Sequence, residues 1–142
     1  MGNSGYVALL FVSILFNELT RSYITEIRKI IAYLSKSATD MVCIDSNNSE
    51  VLVEIEYRLS SLFKHNHPVG TFQYVLCWDA DIELNRARQL SGVNVVLVYE
   101  NSKFSLKYDE NKSIQVINLK EIVNSIIIND LNKIRVCSGQ DS

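Results

Sequence analysis

A single proline and five scattered glycines in 142 residues leave few chain breaks. Gly70, Gly92 and Gly139 stand alone, so no glycine-rich loop is available to cradle a nucleotide phosphate. The three cysteines have no metal spacing, and with only two histidines a zinc finger is excluded. Cys43 and Cys77 lie inside apolar runs and read as reduced core residues, and Cys137 lies near the end. That usage suits a reducing cytoplasm better than secretion. No Ser-His-Asp order suggests another hydrolase. No apolar run reaches the ~20 residues a bilayer requires. The run from Tyr6 to Phe16 is too short and lacks the basic flank of a signal peptide, and Tyr6 stands where myristoylation wants Ser or Thr. No membrane association is expected. Strong positive charge is also missing: the formal net charge is −2, so any nucleic-acid contact must come from a local basic surface. Arg28, Lys29, Lys36, Arg58 and Lys64 are the candidates.

The chain does have enough apolar residue for a core. At 47% hydrophobic content the 142 residues read as one ordered domain without repeats or linkers. Tyr6 to Leu34 reads as one long helix or two consecutive helices, apolar all round at first, then amphipathic through Ile24, Ile27, Ile30 and Ile31. Ser35 to Thr39 is a polar connection, and Leu59 to Phe63 a single helical turn. Phe72 to Trp78 is a buried strand, with Trp78 in the core. Asp79 or Asp81 can cap a helix running to about Leu90 and stopping near Gly92. Val93 to Tyr99, Lys103 to Tyr108 and Ser113 to Ile117 form a meander. Asn118 and Glu121 have the spacing of a capping box. The helix they open has its apolar face at Leu119, Ile122, Val123, Ile126, Leu131 and Ile134. Ser138 to Ser142 reads as a frayed tail. The expected fold class is α/β, a mixed central sheet flanked by helices.

The chemistry concentrates in a hairpin. Asp40 to Asp45 and Val51 to Arg58 read as two strands turning at Ser46 to Ser49. Alternation puts Val51, Val53, Ile55 and Tyr57 on one face and Leu52, Glu54, Glu56 and Arg58 on the other. Two acids thus share a face of an otherwise apolar strand. With the turn centred on Asn48, Asp40 falls opposite Glu56 and faces the same way. Asp40 and Asp45 have opposite parity, so only one can join Glu54, and Asp45 beside the turn suits an Asx turn. Three carboxylates on one patch form an oxygen-rich site for Mg²⁺ or Mn²⁺, ions that activate water for phosphodiester hydrolysis. The competing readings are an edge strand whose acids face water, and an ion network closed by Arg58. His65 and His67 lie in a loop from His65 to Gly70, where they can bind a metal, contact phosphate, supply a proton or simply hydrogen-bond.

These residues carry a resemblance. Asp40, the hairpin and Glu54-Ile55-Glu56 resemble the acidic signature of the PD-(D/E)XK, or restriction-endonuclease-like, nuclease superfamily. The stretch from Glu54 through Tyr57, Arg58, His65, His67 and Pro68 to Trp78 is similar to small nuclease-like domains found alone or at the C-terminus of GHKL-type ATPases. The close match spans Asp40 to Trp78. Glu56 stands at the usual lysine position, and Gln73 stands where an Asp is usual.

The resemblance implies an α-β-β-β-α-β core and places the third acid at Asp40. It implies Mg²⁺ or Mn²⁺ held by Asp40, Glu54 and Glu56, with Arg58, His65 and His67 completing a catalytic set. It implies DNA as substrate, and a homodimer or a larger ATPase-type assembly as partner. The function expected is metal-dependent hydrolysis of DNA. The alternative is a catalytically inactive module of the same fold, for protein or nucleic-acid binding and assembly.

Overall fold

The computed structural model describes residues 3–34, 40–65 and 67–140. The expected connection at residues 35–39, with Lys36, lies outside them, as does Asn66. The described residues form one eight-stranded mixed sheet and three α-helices. The helices are α1 (Asn3–Leu15), α2 (Leu62–His65) and α3 (Leu119–Gln140). The first four strands are β1 (Ile27–Tyr33), β2 (Met41–Asp45), β3 (Glu50–Arg58) and β4 (Tyr74–Asp79). The last four are β5 (Ala87–Leu90), β6 (Val93–Glu100), β7 (Lys103–Asp109) and β8 (Lys112–Asn118). Across the sheet they run β1-β2-β3-β4-β8-β7-β6-β5.

β1, β2 and β3 form an antiparallel meander, and β3, β4 and β8 are parallel neighbours. β5 to β8 form a second antiparallel meander. As expected, the hairpin strands lie beside the Phe72–Trp78 segment, and β3 is an interior strand, which removes the edge-strand reading. Tight turns join the second meander. Ser91 and Gly92 both take positive φ between β5 and β6, as do Asn101 and Ser102 between β6 and β7, the twist that two-residue hairpin loops need.

Two apolar clusters cover the two faces of the sheet. α1 carries no charge, and its Val7, Phe11 and Ile14 fall at helical spacing onto Val53, Ile55, Leu76 and Ile117. Past its end, Leu19 N–H donates to Asn17 Oδ1 at 2.9 Å, a local bond that competes with further helix. The start of α3 packs on the same face through Leu119, Ile122, Val123 and Ile126, with Trp78 half-buried beside them. On the other face Leu59, Leu62 and Phe72 cover Val75, Cys77, Leu97, Leu106 and Ile114. Cys43 and Cys77 are buried free thiols. No helix among the described residues is long and apolar enough to cross a membrane.

Several expectations fail. The second half of the long N-terminal helix is instead a 3₁₀ turn at Arg21–Tyr23 followed by β1. The helix expected from Asp79 to Leu90 does not form: Asn85 takes a left-handed φ of 61°, its N–H bonds Leu97 O at 2.8 Å, and Ala87–Leu90 becomes a strand. The capping box at α3 does not close. Glu121 accepts a bond from the Tyr99 hydroxyl at 2.9 Å, and Asn118 Oδ1 has no partner among the described residues. Leu131 and Ile134 are exposed, because α3 extends past the core it covers. The backbone of α3 continues to Gln140, past the expected start of fraying at Ser138.

Candidate functional site

β3 positions the acids. Its Val51, Val53 and Ile55 are drawn into the cluster under α1, and alternation then forces Glu54 and Glu56 onto the opposite face. There they share a side with Val75 and Cys77 of the parallel neighbour, since Glu54 pairs with Val75 and Glu56 with Cys77. Both glutamates are buried, Glu54 at 3% and Glu56 at 5% exposure. Burial of charged groups at this depth is costly unless each is paired, protonated or bound to a metal.

The hairpin register delivers Asp40 to them, one residue away from the expected place. Met41 pairs with Val53 and Ile44 with Glu50, so the turn centres on Asn47 rather than Asn48. One step further along the ladder sets Asp40 level with Glu54 rather than Glu56. Opposed residues face the same way, so the shared face survives the correction. Asp40 Oδ2 accepts the Ile55 N–H at 2.8 Å, and Asp40 is hydrogen-bonded to the Glu54 carboxyl. Asp45 is the turn residue: its Oδ1 accepts the N–H groups of Asn47 at 3.0 Å and Ser49 at 2.8 Å.

The crossover from β3 to β4 brings in both histidines. His65 Nδ1 lies 2.7 Å from Glu56 Oε1, and His67 Nε2 lies 3.7 Å from Glu54 Oε2. The first is a hydrogen bond, whereas the second is too long for one. The rings meet edge to face at 6.4 Å between centroids. Leu59 and Leu62 anchor the crossover in the core. Asp81 clamps it, accepting Ser60 N–H at 2.8 Å and Ser60 Oγ–H at 2.6 Å. Asp81→Ala is expected to cost about 1 kcal/mol in a denaturant titration, the usual value of a lost cap.

Burial is the largest influence on Glu54, followed by the Asp40 charge, the shared hydrogen bond and then Glu56. Together they push its pKa up to about 8. Glu56 is also raised, chiefly by burial, with the His65 hydrogen bond pulling the other way. At neutral pH the Glu54 carboxyl therefore keeps its proton, hydrogen-bonded to Asp40.

Five of the six expected site residues converge: Asp40, Glu54, Glu56, His65 and His67. Arg58 does not close an ion network with the acids. It ends β3 exposed, with its guanidinium 5.9 Å from the ring centre of Tyr57. Lys64 is exposed on α2, and the Arg88 guanidinium sits 4.6 Å over the ring of Phe63 on the same helix. Among the described residues no three His, Cys, Asp or Glu side chains form a ready metal-binding group, since Glu56 turns to His65 while Asp40 and Glu54 hold each other. Gln73 has a role the sequence did not signal. Its N–H donates to Leu52 O at 3.0 Å and its Oε1 accepts the Leu52 N–H at 2.8 Å, extending the β3–β4 ladder by one residue.

Comparison of the chain with protein-family models, curated proteins and solved structures found no match.

Proposed function

We propose that this chain is a nuclease-type domain that hydrolyses DNA phosphodiesters with Mg²⁺ or Mn²⁺. The observation that carries this reading is the pairing of half-buried Asp40 with buried Glu54, two acids pressed together with no Lys or Arg partner among the described residues. Such a pair calls for a proton or a cation. The element order supports the restriction-endonuclease-like reading too. An α-helix, three antiparallel strands, a short helix and a strand parallel to the third follow one another, with Asp40 entering β2 and Glu54-Ile55-Glu56 inside β3.

The donor types suit the ion, although among the described residues no three of them are gathered into a ready ligand group. Carboxylate oxygens suit Mg²⁺, and nearby imidazoles are compatible with Mn²⁺. Asp40 and Glu54 would hold it, with Glu56 as the third acid of that strand face. When bound, the ion supplies positive charge to the phosphate and lowers the pKa of water. Glu56, oriented by His65, takes the proton of the attacking water. As the P–O bond opposite breaks, His67 returns a proton to the leaving oxygen. Arg58, Lys64 and Arg88 hold the DNA backbone through its phosphates. The buried reduced thiols support a cytoplasmic setting.

The inactive assembly module is the second reading. The bond from Glu56 to His65 favours it, because that acid is already occupied. Calorimetry decides between them. The nuclease reading expects Mn²⁺ binding that Glu54→Gln removes while the circular dichroism spectrum stays unchanged. A folded protein that takes up no Mn²⁺ at millimolar concentration would instead be the assembly module, working with an ATPase-type partner.

A further inference from the structure

The sheet has two edges, and they are protected differently. β5 is four residues long and bears Arg88 and Gln89, with Arg86 just before it. A short, charged strand is a poor template for another strand. β1 is seven residues long, pairs among the described residues only with β2, and shifts register between Ile27 and Lys29 and between Ile30 and Ala32. After Arg28 and Lys29 its sequence is Ile30-Ile31-Ala32-Tyr33, then Leu34, without a charge. Ile31 is 52% and Tyr33 49% exposed. The outer backbone groups of such a strand invite a partner strand.

The helix beside this edge is equally bare. α1 buries one side, yet Tyr6 is 68%, Leu9 64% and Phe16 68% exposed. Between helix and strand runs a groove of about 310 Å³, lined by Tyr6, Leu9, Val12, Ile30, Tyr33 and Met41, with almost no polar surface. Edge and groove form a continuous apolar face through Ile30 and Tyr33.

We infer that this face is the seat of a second copy of the chain, with β1 pairing antiparallel to β1 of its partner. Three observations select that occupant. A lipid surface is disfavoured because α1 carries no Lys or Arg to meet headgroups, as interfacial helices do. A strand that pairs with its own copy about a two-fold axis needs no second sequence, since each contact of residue i with residue j is repeated as j with i. The area also suffices. Aromatic side chains span about 150–250 Å², so the exposed parts of Tyr6, Leu9, Phe16, Ile31, Tyr33 and Leu34 come to roughly 700 Å². A stable interface takes roughly 600–1,000 Å² from each partner. The pairing would make one continuous sixteen-stranded sheet. It leaves Glu54 and Glu56 away from the interface, because β2 separates β3 from β1. The inference therefore stands apart from the catalytic reading.

Sedimentation equilibrium on the whole chain tests it. The expected mass is twice 16.2 kDa at tens of micromolar protein. Ile31→Lys with Tyr33→Lys should restore the single mass, with unchanged circular dichroism because both positions are exposed. Single cysteines at Ile31, Ala32 and Tyr33, in a Cys137→Ser background, should include at least one that cross-links to a dimer under mild oxidation. A monomeric wild type overturns the inference. So does a dimer that survives the paired lysines, or a dimer that none of the three cysteines cross-links. A monomer that instead co-sediments with phosphatidylserine vesicles overturns it in favour of a membrane.

Discussion

Asp40→Ala is expected to reduce Mn²⁺-dependent cleavage of plain duplex DNA below detection, while His67→Ala retains a measurable fraction. The ranking follows from the geometry. Asp40 is the shared partner of the Glu54 carboxyl and is itself fixed by the Ile55 N–H at 2.8 Å. Without it one of the two ligands proposed for the ion is gone and the other is left buried alone. His67 stands 3.7 Å from Glu54 at the border of the site, where a proton donor contributes ~10²–10⁴-fold. Cleavage should be lost in EDTA and weaken with added salt, since affinity would rest on a few phosphate contacts. Lys133→Ala, at an exposed position on α3, should change nothing. Equal losses in Asp40→Ala and Lys133→Ala, or activity that survives EDTA, would show that these acids are not the catalytic ones.

Metal affinity and stability should respond to pH in opposite directions, and Glu54 links them. Its folded pKa of about 8 lies above the roughly 4.3 of an unfolded chain. Between those values the folded state binds the extra proton, so stability falls as pH rises through this window. Each tenfold change in proton affinity is worth about 1.4 kcal/mol, which makes the whole loss on the order of a few kcal/mol. A metal ion competes with that proton, so Mn²⁺ affinity should climb toward tenfold per pH unit from about pH 6 and level off above about pH 8. In Glu54→Gln the amide can donate to Asp40 as the protonated acid does. The variant should be more stable than wild type at pH 8.5 without metal, with a flatter profile across the window. Thermal melts from pH 5 to pH 9, with and without Mn²⁺, read both effects. A wild type without metal whose Tm rises steadily through that range would refute the proton kept on Glu54.

The acidic patch was legible because two simple periodicities set it. A nine-residue strand with one apolar parity must expose its other parity, so Glu54 and Glu56 had to share a face whatever the rest of the chain did. An error of one in the turn centre left Asp40 on that face. The contacts of His65 and His67 were less predictable, because a crossover path depends on tertiary anchors such as Leu59, Leu62 and Asp81. β1 misled for a physical reason. Its ladder to β2 is irregular between Ile27 and Lys29 and again between Ile30 and Ala32. Those shifts put Ile27 and Ile30 on one side at a spacing of three, which imitates a helix. The segment around Asn85 misled otherwise: its composition suits a helix, but the left-handed residue and its bond to Leu97 commit it to the sheet.

The strand order carries a consequence for how the molecule assembles. β1 to β4 are wired to near neighbours in sequence, and so are β5 to β8. The two halves meet along one seam, where Tyr74 of β4 lies against Gln115 of β8. Hairpins close in roughly 1–10 µs, but the seam must shut a loop of about forty residues before any of its bonds form. The slow step of folding is therefore expected to be the docking of β8 onto β4, one strand away from β3. Until it happens, β4 forms the raw margin of a half-sheet. The sheet that carries the acids is complete only when the two halves of the chain find each other.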